Sequence, residues 1–250
     1  NEFSVKFVAS SVAELYHVTQ ADGVVVAVEE TATEQIISEI ALHNWSALVE
    51  KPIGLGLCDS KRICERSADA GLNLYVAMNR RHYASTQMAV QKLTQIGGRR
   101  IVQIHDQEDP SSALKNGRNA VVCDNWHFAN SIHLIDLFDV FCRGEVSKVR
   151  NVIPWTTGYG AKSTHSIIEF DSGDVGIYTS AWNAPGPWVV AISTPTKRLE
   201  MRPVEYLSEQ TYPSRQITPC ELGDVDQKFK PGIFCQMNEF VKALNRKNNG

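Results

Sequence analysis

The sequence predicts an α/β fold: a partial Rossmann-type parallel sheet, followed by an α+β domain with an open, mostly antiparallel sheet. Three observations lead there. Residues 20–79 alternate short β-branched runs with amphipathic stretches, the pattern of a doubly wound parallel sheet. Beyond residue 80 the texture changes, and strand-like segments follow one another across short turns, as in an antiparallel sheet. The chain has 250 residues and is 43% hydrophobic, which supplies one large core or two moderate ones. The boundary is expected near residue 80.

The elements follow in order. "FSVKFV" alternates apolar and polar residues and predicts a short strand. Ser10 or Ser11 is placed to cap a helix over "VAELYHV". "GVVVAV", residues 23–28, predicts a strand buried on both faces. "TATEQIISEIALHN" has apolar residues at 36, 37, 40 and 41 and predicts an amphipathic helix capped by Thr31 or Thr33. "SALVEKP" is a second buried strand. Residues 59–71 form a helix with Asp59 or Ser60 near its start and Gly71 at its end. "LNLYVAMN" is a third buried strand.

In the second half, "STQMAVQKLTQIG" predicts a helix and "RRIVQIHDQE" a strand. Residues 107–122 are polar, contain Pro110 and Gly117, and read as a loop. "WHFANSIHLIDLFDVFCRG" predicts one strongly apolar helix ended by Gly144. Strand patterns then run through "VSKVRNVIPWTT", "STHSIIEFDSG", "VGIYTSAWN", "WVVAISTPT" and "KRLEMRPVEYLSE". The last helix is "IFCQMNEFVKALNRK".

Composition narrows the function classes. The net charge is −3 and no basic run is interleaved with aromatics, so no nucleic-acid partner is expected. Apolar runs stop well short of the roughly 20 residues that cross a bilayer, and no signal peptide is visible. The six cysteines, at 58, 64, 123, 142, 220 and 235, form no C-x-x-C and fit neither a zinc site nor a disulfide framework. Reduced, mostly buried thiols in a cytoplasmic protein are expected. Asn1 at the start and "LNRKNNG" directly after a helical pattern suggest cut ends.

Five motifs bear on chemistry. Gly54 and Gly56 give G-x-G, but Asp59 stands where a third glycine belongs, and a carboxylate there repels a pyrophosphate; a plain strand-to-helix turn is the better reading. Lys51, after a buried strand and before Pro52, is either aimed at a ligand cleft at the carboxyl end of the sheet or a solvated lysine on the rim. In "NSIHLID", His133 and Asp136 are i, i+3 on one helix face, with Asn130 one turn earlier. A histidine exchanges protons near neutrality, though the spacing alone favours a core histidine bonded to a neighbour. Arg80 and Arg81 in "NRRH" suit a substrate phosphate or carboxylate, or surface ion pairs. Trp182 and Trp188 flank a Pro/Gly turn and suit sugar faces, or simple packing.

Taken in order, "DGVVVAV", "VEKP", "AMNRRHY", "LTQIGG", "NSIHLIDLFDVFCRG", "SAWNAPGPW" and "KPGIFCQMNEF" resemble the glucose–fructose oxidoreductase / inositol dehydrogenase / MocA (Gfo/Idh/MocA) family across residues 10–244. The resemblance implies a two-domain oxidoreductase that binds NAD or NADP and acts on a hydroxyl or keto group of a sugar, inositol or nucleotide sugar. It implies catalytic roles for Lys51 and His133: His133 takes the hydroxyl proton and the Lys51 ammonium stabilises the oxyanion. Asn130, Arg81, Asp136 and Trp182 are implied to bind substrate. Val28, Glu29, Glu50, Lys51, Pro52 and Asn79 are implied to line the cofactor, and no metal is implied. The domains become 1–80, a truncated Rossmann-like domain without its first βα unit, and 81–250, for substrate and oligomerisation. A homodimer or homotetramer through the open sheet face is implied.

Two departures qualify this. Many members have an aspartate four residues before the histidine, where this chain has Ala129, with Asn130 beside it. The family's G-x-G-x-x-G and the helix after it are absent, and "VEET" brings Glu29 and Glu30 to a loop that many members write T-P. The chain as given is therefore expected to bind cofactor weakly or not at all. A non-catalytic carbohydrate-binding or assembly module of the same fold is the alternative, and a metal hydrolase using His127, His133 and Asp136 a remote third. The coding sequence upstream of Asn1 would separate the first two.

Overall fold

Ser11 opens the first regular element. Its hydroxyl accepts from the Glu14 amide and caps helix α1 (Val12–Val18), while the Glu14 carboxylate reaches back to the Ser10 amide. The computed structural model describes residues 5–19, 21–153 and 162–248. The chain divides into two units, residues 1–77 with 237–250, and residues 78–236.

In the first unit, α1 is followed by β1 (Gly23–Val26), α2 (Thr33–Ile40), β2 (Ser46–Glu50), α3 (Leu57–Asp69) and β3 (Asn73–Ala77). The three strands form a parallel sheet in the order β1-β2-β3, with Val24 opposite Ala47 and Ala47 opposite Leu74. This is the predicted βαβαβ alternation. Ile37 and Ile40 of α2 and Ile63 of α3 pack on Val26, Ala47 and Val49 of the sheet. Arg62 ties α2 to α3, donating to Glu34 at 2.7 Å and to Asp59 at 2.9 Å. The Trp45 indole donates to the Ala21 carbonyl at 2.9 Å, which satisfies its one polar atom in the core.

Three expectations for this unit are corrected. Only β2 is buried, over its first four residues; among the described residues β1 and β3 have one neighbour each, and Val25, Tyr75 and Val76 are exposed. Among the described residues, Val5–Val8 are not in a strand: an alternating run needs a partner ladder, and none pairs with it. Neither Thr31 nor Thr33 caps α2. A 3-10 turn over Glu30–Ala32 leads in, and Thr33 lies within the first helical turn, donating to the Glu29 carbonyl at 3.5 Å.

The second unit contains α4 (Ala84–Thr94), β4 (Ile101–Glu108), α5 (Pro110–Lys115), α6 (Ala120–Asp124), α7 (Ile132–Ile135) and α8 (Leu137–Phe141). Strands β5 (Val146–Ile153), β6 (Lys162–Phe170), β7 (Val175–Trp182), β8 (Val189–Ser193), β9 (Lys197–Met201), β10 (Ser208–Thr211) and β11 (Thr218–Pro219) follow. The last two elements are α9 (Val225–Lys228) and α10 (Ile233–Asn248), whose residues from Met237 onward group with the first unit. The eight strands form one sheet in the order β11-β10-β9-β8-β4-β7-β6-β5. Every pair is antiparallel except β4 with β7, which run parallel at the centre. One face carries Val102, Ile104, Ile192 and Leu199 under Leu134, Leu137 and Phe141 of the helices.

Two sequence expectations change here. Residues 107–122 are not a loop throughout. Asp109 accepts from the Ser112 amide and Pro110 takes the first helical position, so "DPSS" starts α5; Asn119 caps α6 through the Val121 amide. The apolar run 126–144 is not one helix. A π-helical turn over His127–Ser131 precedes α7, and α8 follows. The thiols also differ from expectation: Cys123 and Cys142 are buried, whereas Cys58 and Cys64 are exposed on the outer face of α3, away from Ile63 and Ser67.

Gly144 does not end α8: the helix stops at Phe141 with an extended C-cap at Cys142, and Gly144, whose φ of +72° is left-handed, lies in the turn that leads to β5. A Cβ there would run into the Asp171 side chain, whose carboxylate accepts from the Glu145 amide at 3.0 Å. Gly144→Ala is expected to cost about 1–2 kcal/mol from the backbone alone. Urea unfolding of the variant beside the wild type checks this.

Candidate functional site

Strand β4 changes character along its length while keeping one parity. Val102, Ile104, Asp106 and Glu108 all face the helices. The first two belong to the apolar core, and the last two bring carboxyl groups onto the same face, 1% and 4% exposed. The parallel register sets Ile104 beside Tyr178, Asp106 beside Ser180 and Glu108 beside Trp182.

Each carboxyl is held by named donors. The Tyr178 hydroxyl donates to Asp106 Oδ2 at 2.5 Å. The Trp126 indole and the Asn130 amide both donate to Glu108 Oε2, each at 2.8 Å. Trp126 precedes the π-helical turn and Asn130 lies within it, so Glu108 holds a segment with one extra residue in its loop at two points. Such turns recur at functional sites. Asp106 Oδ1 and Glu108 Oε1 are buried without a hydrogen-bond donor.

A cation accompanies the pair. Arg80 lies in the 3-10 turn Asn79–His82, is 7% exposed, and lies over the Trp188 ring with its guanidinium carbon 3.8 Å from the centroid. The Trp188 indole donates to the Gln107 carbonyl at 2.5 Å, which fixes the ring to β4. The Thr86 hydroxyl donates to the Arg80 carbonyl at 2.8 Å and holds the turn.

Burial governs the charges. It pushes the Glu108 carboxyl up to about 7, the Asp106 charge adds to the rise, and Asn130, Trp126 and Arg80 oppose it. Burial also raises Asp106, against the Ser131 and Tyr178 hydroxyls and the Arg80 charge. Tyr178 is raised by burial and by Asp106. Arg80 is lowered by burial, with Tyr83, Glu108 and Asp106 pulling it back. A carboxyl poised near neutrality can hold or release a proton at working pH.

The residues singled out in the sequence fall as follows. In the second unit, Asn130 belongs to the π-helical turn and His133 to α7, 6% exposed. Arg81 and Asp136 meet each other: the guanidinium grips the carboxylate through two bonds of 2.6 and 2.7 Å and also reaches Asp139 at 2.8 Å. Trp182 is 1% exposed, which leaves its ring no open face in this conformation. The Asn79 amide donates to the Pro231 carbonyl at 3.1 Å. Among the described residues no three His, Cys, Asp or Glu side chains gather as metal ligands.

In the first unit, Val28 and Glu29 are exposed beyond β1, Glu50 is exposed at the end of β2, Lys51 is half-buried and Pro52 buried. These positions are the carboxyl ends of parallel strands, where open α/β sheets bind nucleotides, and the exposed Glu29 carboxylate suits ribose hydroxyls. They fit the part of a nicotinamide dinucleotide that meets the strand ends. The pyrophosphate finds no glycine cradle among the described residues. A Cβ on Gly54 would come within 2.7 Å of the Ser60 amide and 2.9 Å of the Asp59 Cβ, so that glycine serves helix packing.

Sequence reading missed Asp106, Glu108, Trp126 and Tyr178. The signal was present in "IVQIHDQE": the parity that buries Val102 and Ile104 also buries the two acids.

No family model matches the chain, and no curated protein matches it in sequence. Solved structures do share its fold. A dehydrogenase from Chromobacterium violaceum aligns with a TM-score of 0.79 at 16% identity, covering 95% of this chain and 72% of its own. UDP-N-acetylglucosamine 3-dehydrogenase from Acidithiobacillus ferrooxidans aligns at 0.73 and 14% identity, covering 96% and 74%. The WlbA dehydrogenase from Bordetella pertussis, solved with NADH and UDP-GlcNAcA, aligns at 0.65 and 16% identity, covering 93% and 69%.

Proposed function

We propose that the chain belongs to the Gfo/Idh/MocA family and forms the greater part of an oxidoreductase that interconverts a hydroxyl and a keto group on a sugar-like substrate. The observation that carries this reading is the shared fold, with "EKP" at the end of the central parallel strand β2 and H-x-x-D running from α7 to its C-cap Asp136. The substrate class follows the names of the neighbours, which include enzymes of free and nucleotide-linked sugars. A nicotinamide dinucleotide, when bound, supplies the hydride chemistry. Val28, Glu29, Glu50, Lys51, Pro52 and Asn79 would hold it.

In this reading His133 exchanges the hydroxyl proton, and the Lys51 ammonium is the group that offsets developing negative charge. Asn130 is the substrate contact. Arg81 and Asp136, bonded to each other, and Trp182 would be the remaining substrate-binding residues. Val146, Val149 and Val152 are exposed on β5, and pairing of two copies over this sheet belongs to the same proposal.

The test is a panel. The full-length product of the coding sequence is mixed with NAD or NADP in the oxidised form and with UDP-sugars, free sugars, anhydrosugars and inositols. Reduced nicotinamide is expected to accumulate with at least one of them. Silence across the panel with both cofactors overturns the reading. Sugar binding by calorimetry without turnover would instead favour a non-catalytic module.

A further inference from the structure

The buried carboxyls of β4 have an unexplained feature. Asp106 and Glu108 are two residues apart on one strand, so their Cα atoms are about 7 Å apart on the same face. Both side chains are buried on that face, and the charge of Asp106 acts on Glu108. Each carboxyl has one oxygen occupied by donors, and each leaves the other oxygen buried and without one. Two such bare oxygens cost several kcal/mol in a protein interior. A single proton between them supplies what both lack.

We propose that Asp106 and Glu108 share one proton at neutral pH, and that Glu108 thereby positions the turn leading to His133 through Trp126 and Asn130. The remaining charge lies on an oxygen set that accepts from Trp126, Asn130 and Tyr178, with the Arg80 guanidinium as counter-ion. The groups facing the pair are Arg80 from the 3-10 turn, Tyr178 from β7, and neutral Trp126, Asn130 and Ser131 from above; Tyr83 faces Arg80. Gain of the shared proton as pH falls through neutrality weakens the anionic acceptor that holds Trp126 and Asn130 at the π-helical turn. Asn130 is three residues before His133, so loosening there reaches the imidazole. Glu108 is in this account a positioning residue. The link to catalysis rests on the functional reading above; the shared proton does not.

The indole N–H of Trp126 reports the pair directly. In the 250-residue chain, its NMR resonance, assigned by loss in Trp126→Phe, is expected to move with pH around a midpoint of about 7. Glu108→Gln, nearly isosteric, is expected to abolish that titration while the other indoles keep their wild-type behaviour. Asp106→Asn is expected to move the midpoint down, because one of the two causes that raise Glu108 is gone. An indole that stays flat between about pH 5 and 9, a titration that survives Glu108→Gln, or a midpoint unmoved by Asp106→Asn overturns the proposal. Should Glu108→Gln fail to fold, the carboxyl carbon resonances of the wild type and Asp106→Asn decide the same question. No ligand is present in this experiment. A failed sugar panel removes the oxidoreductase reading and leaves the titration to be judged alone.

Discussion

Asp174→Ala is expected to destabilise the second unit by about 2–4 kcal/mol at pH 7. Asp174 is fully buried and accepts four hydrogen bonds. Its Oδ1 takes the Arg100 amide at 2.8 Å and Arg143 Nη2 at 2.7 Å; its Oδ2 takes the Arg143 amide at 3.0 Å and Arg143 Nε at 2.9 Å. Alanine leaves two backbone donors without an acceptor, and these dominate the loss. The Arg143 side chain is 42% exposed and recovers water, so its share is small. Burial alone would raise the Asp174 carboxyl, but Arg143 and the two amides together outweigh it and hold it below the ordinary range. The unfolded chain therefore takes up this proton first as pH falls. The contribution is complete above the ordinary aspartate range and is lost progressively below about pH 4. Urea unfolding followed by tryptophan fluorescence should show a lower midpoint for the variant at pH 7. The gap should narrow from about pH 4 to 2.

Turnover is expected to fall about a hundredfold to ten-thousandfold in His133→Ala, the span that a positioned acid–base group contributes. Lys51→Ala is expected to lose about a hundredfold or more, as removal of an oxyanion partner does. Both are read as kcat/KM with the substrate that the panel identifies, alongside circular dichroism to confirm the fold. His133 is buried, so a modest loss of stability accompanies its truncation; Lys51 is half-buried and should cost little. Rates near wild type in both variants would remove the proposed roles while leaving the fold assignment in place.

The parallel unit was legible because its signals are local. β-branched runs at regular intervals, with amphipathic stretches between them, leave few other arrangements, and β1, β2 and β3 fall where those runs lie. Exposure was not legible. Whether "GVVVAV" is a central or an edge strand depends on what pairs with it, and composition is silent on that. In the candidate site, His133 and Lys51 stood out through their motifs, whereas Glu108 did not. A glutamate near the end of a polar-looking segment reads as solvated until the parity of β4 is followed through to its last residue. The π-helical turn was beyond reach, since "WHFANSIH" has the apolar periodicity of an unbroken helix. The turn coincides with long-range contacts that the local sequence does not encode, the two bonds from Trp126 and Asn130 to Glu108.

The change of character along β4 also determines which kinds of mutation the protein can absorb. One pleat serves two duties: its first half anchors the core through Val102 and Ile104, and its second half carries the acids. A side-chain replacement touches one duty at a time. An insertion or deletion of a single residue within the strand inverts the facing of everything beyond it, turning His105 and Gln107 inward and the carboxyls out. This strand should therefore drift in composition among descendants of the sequence while its length stays fixed.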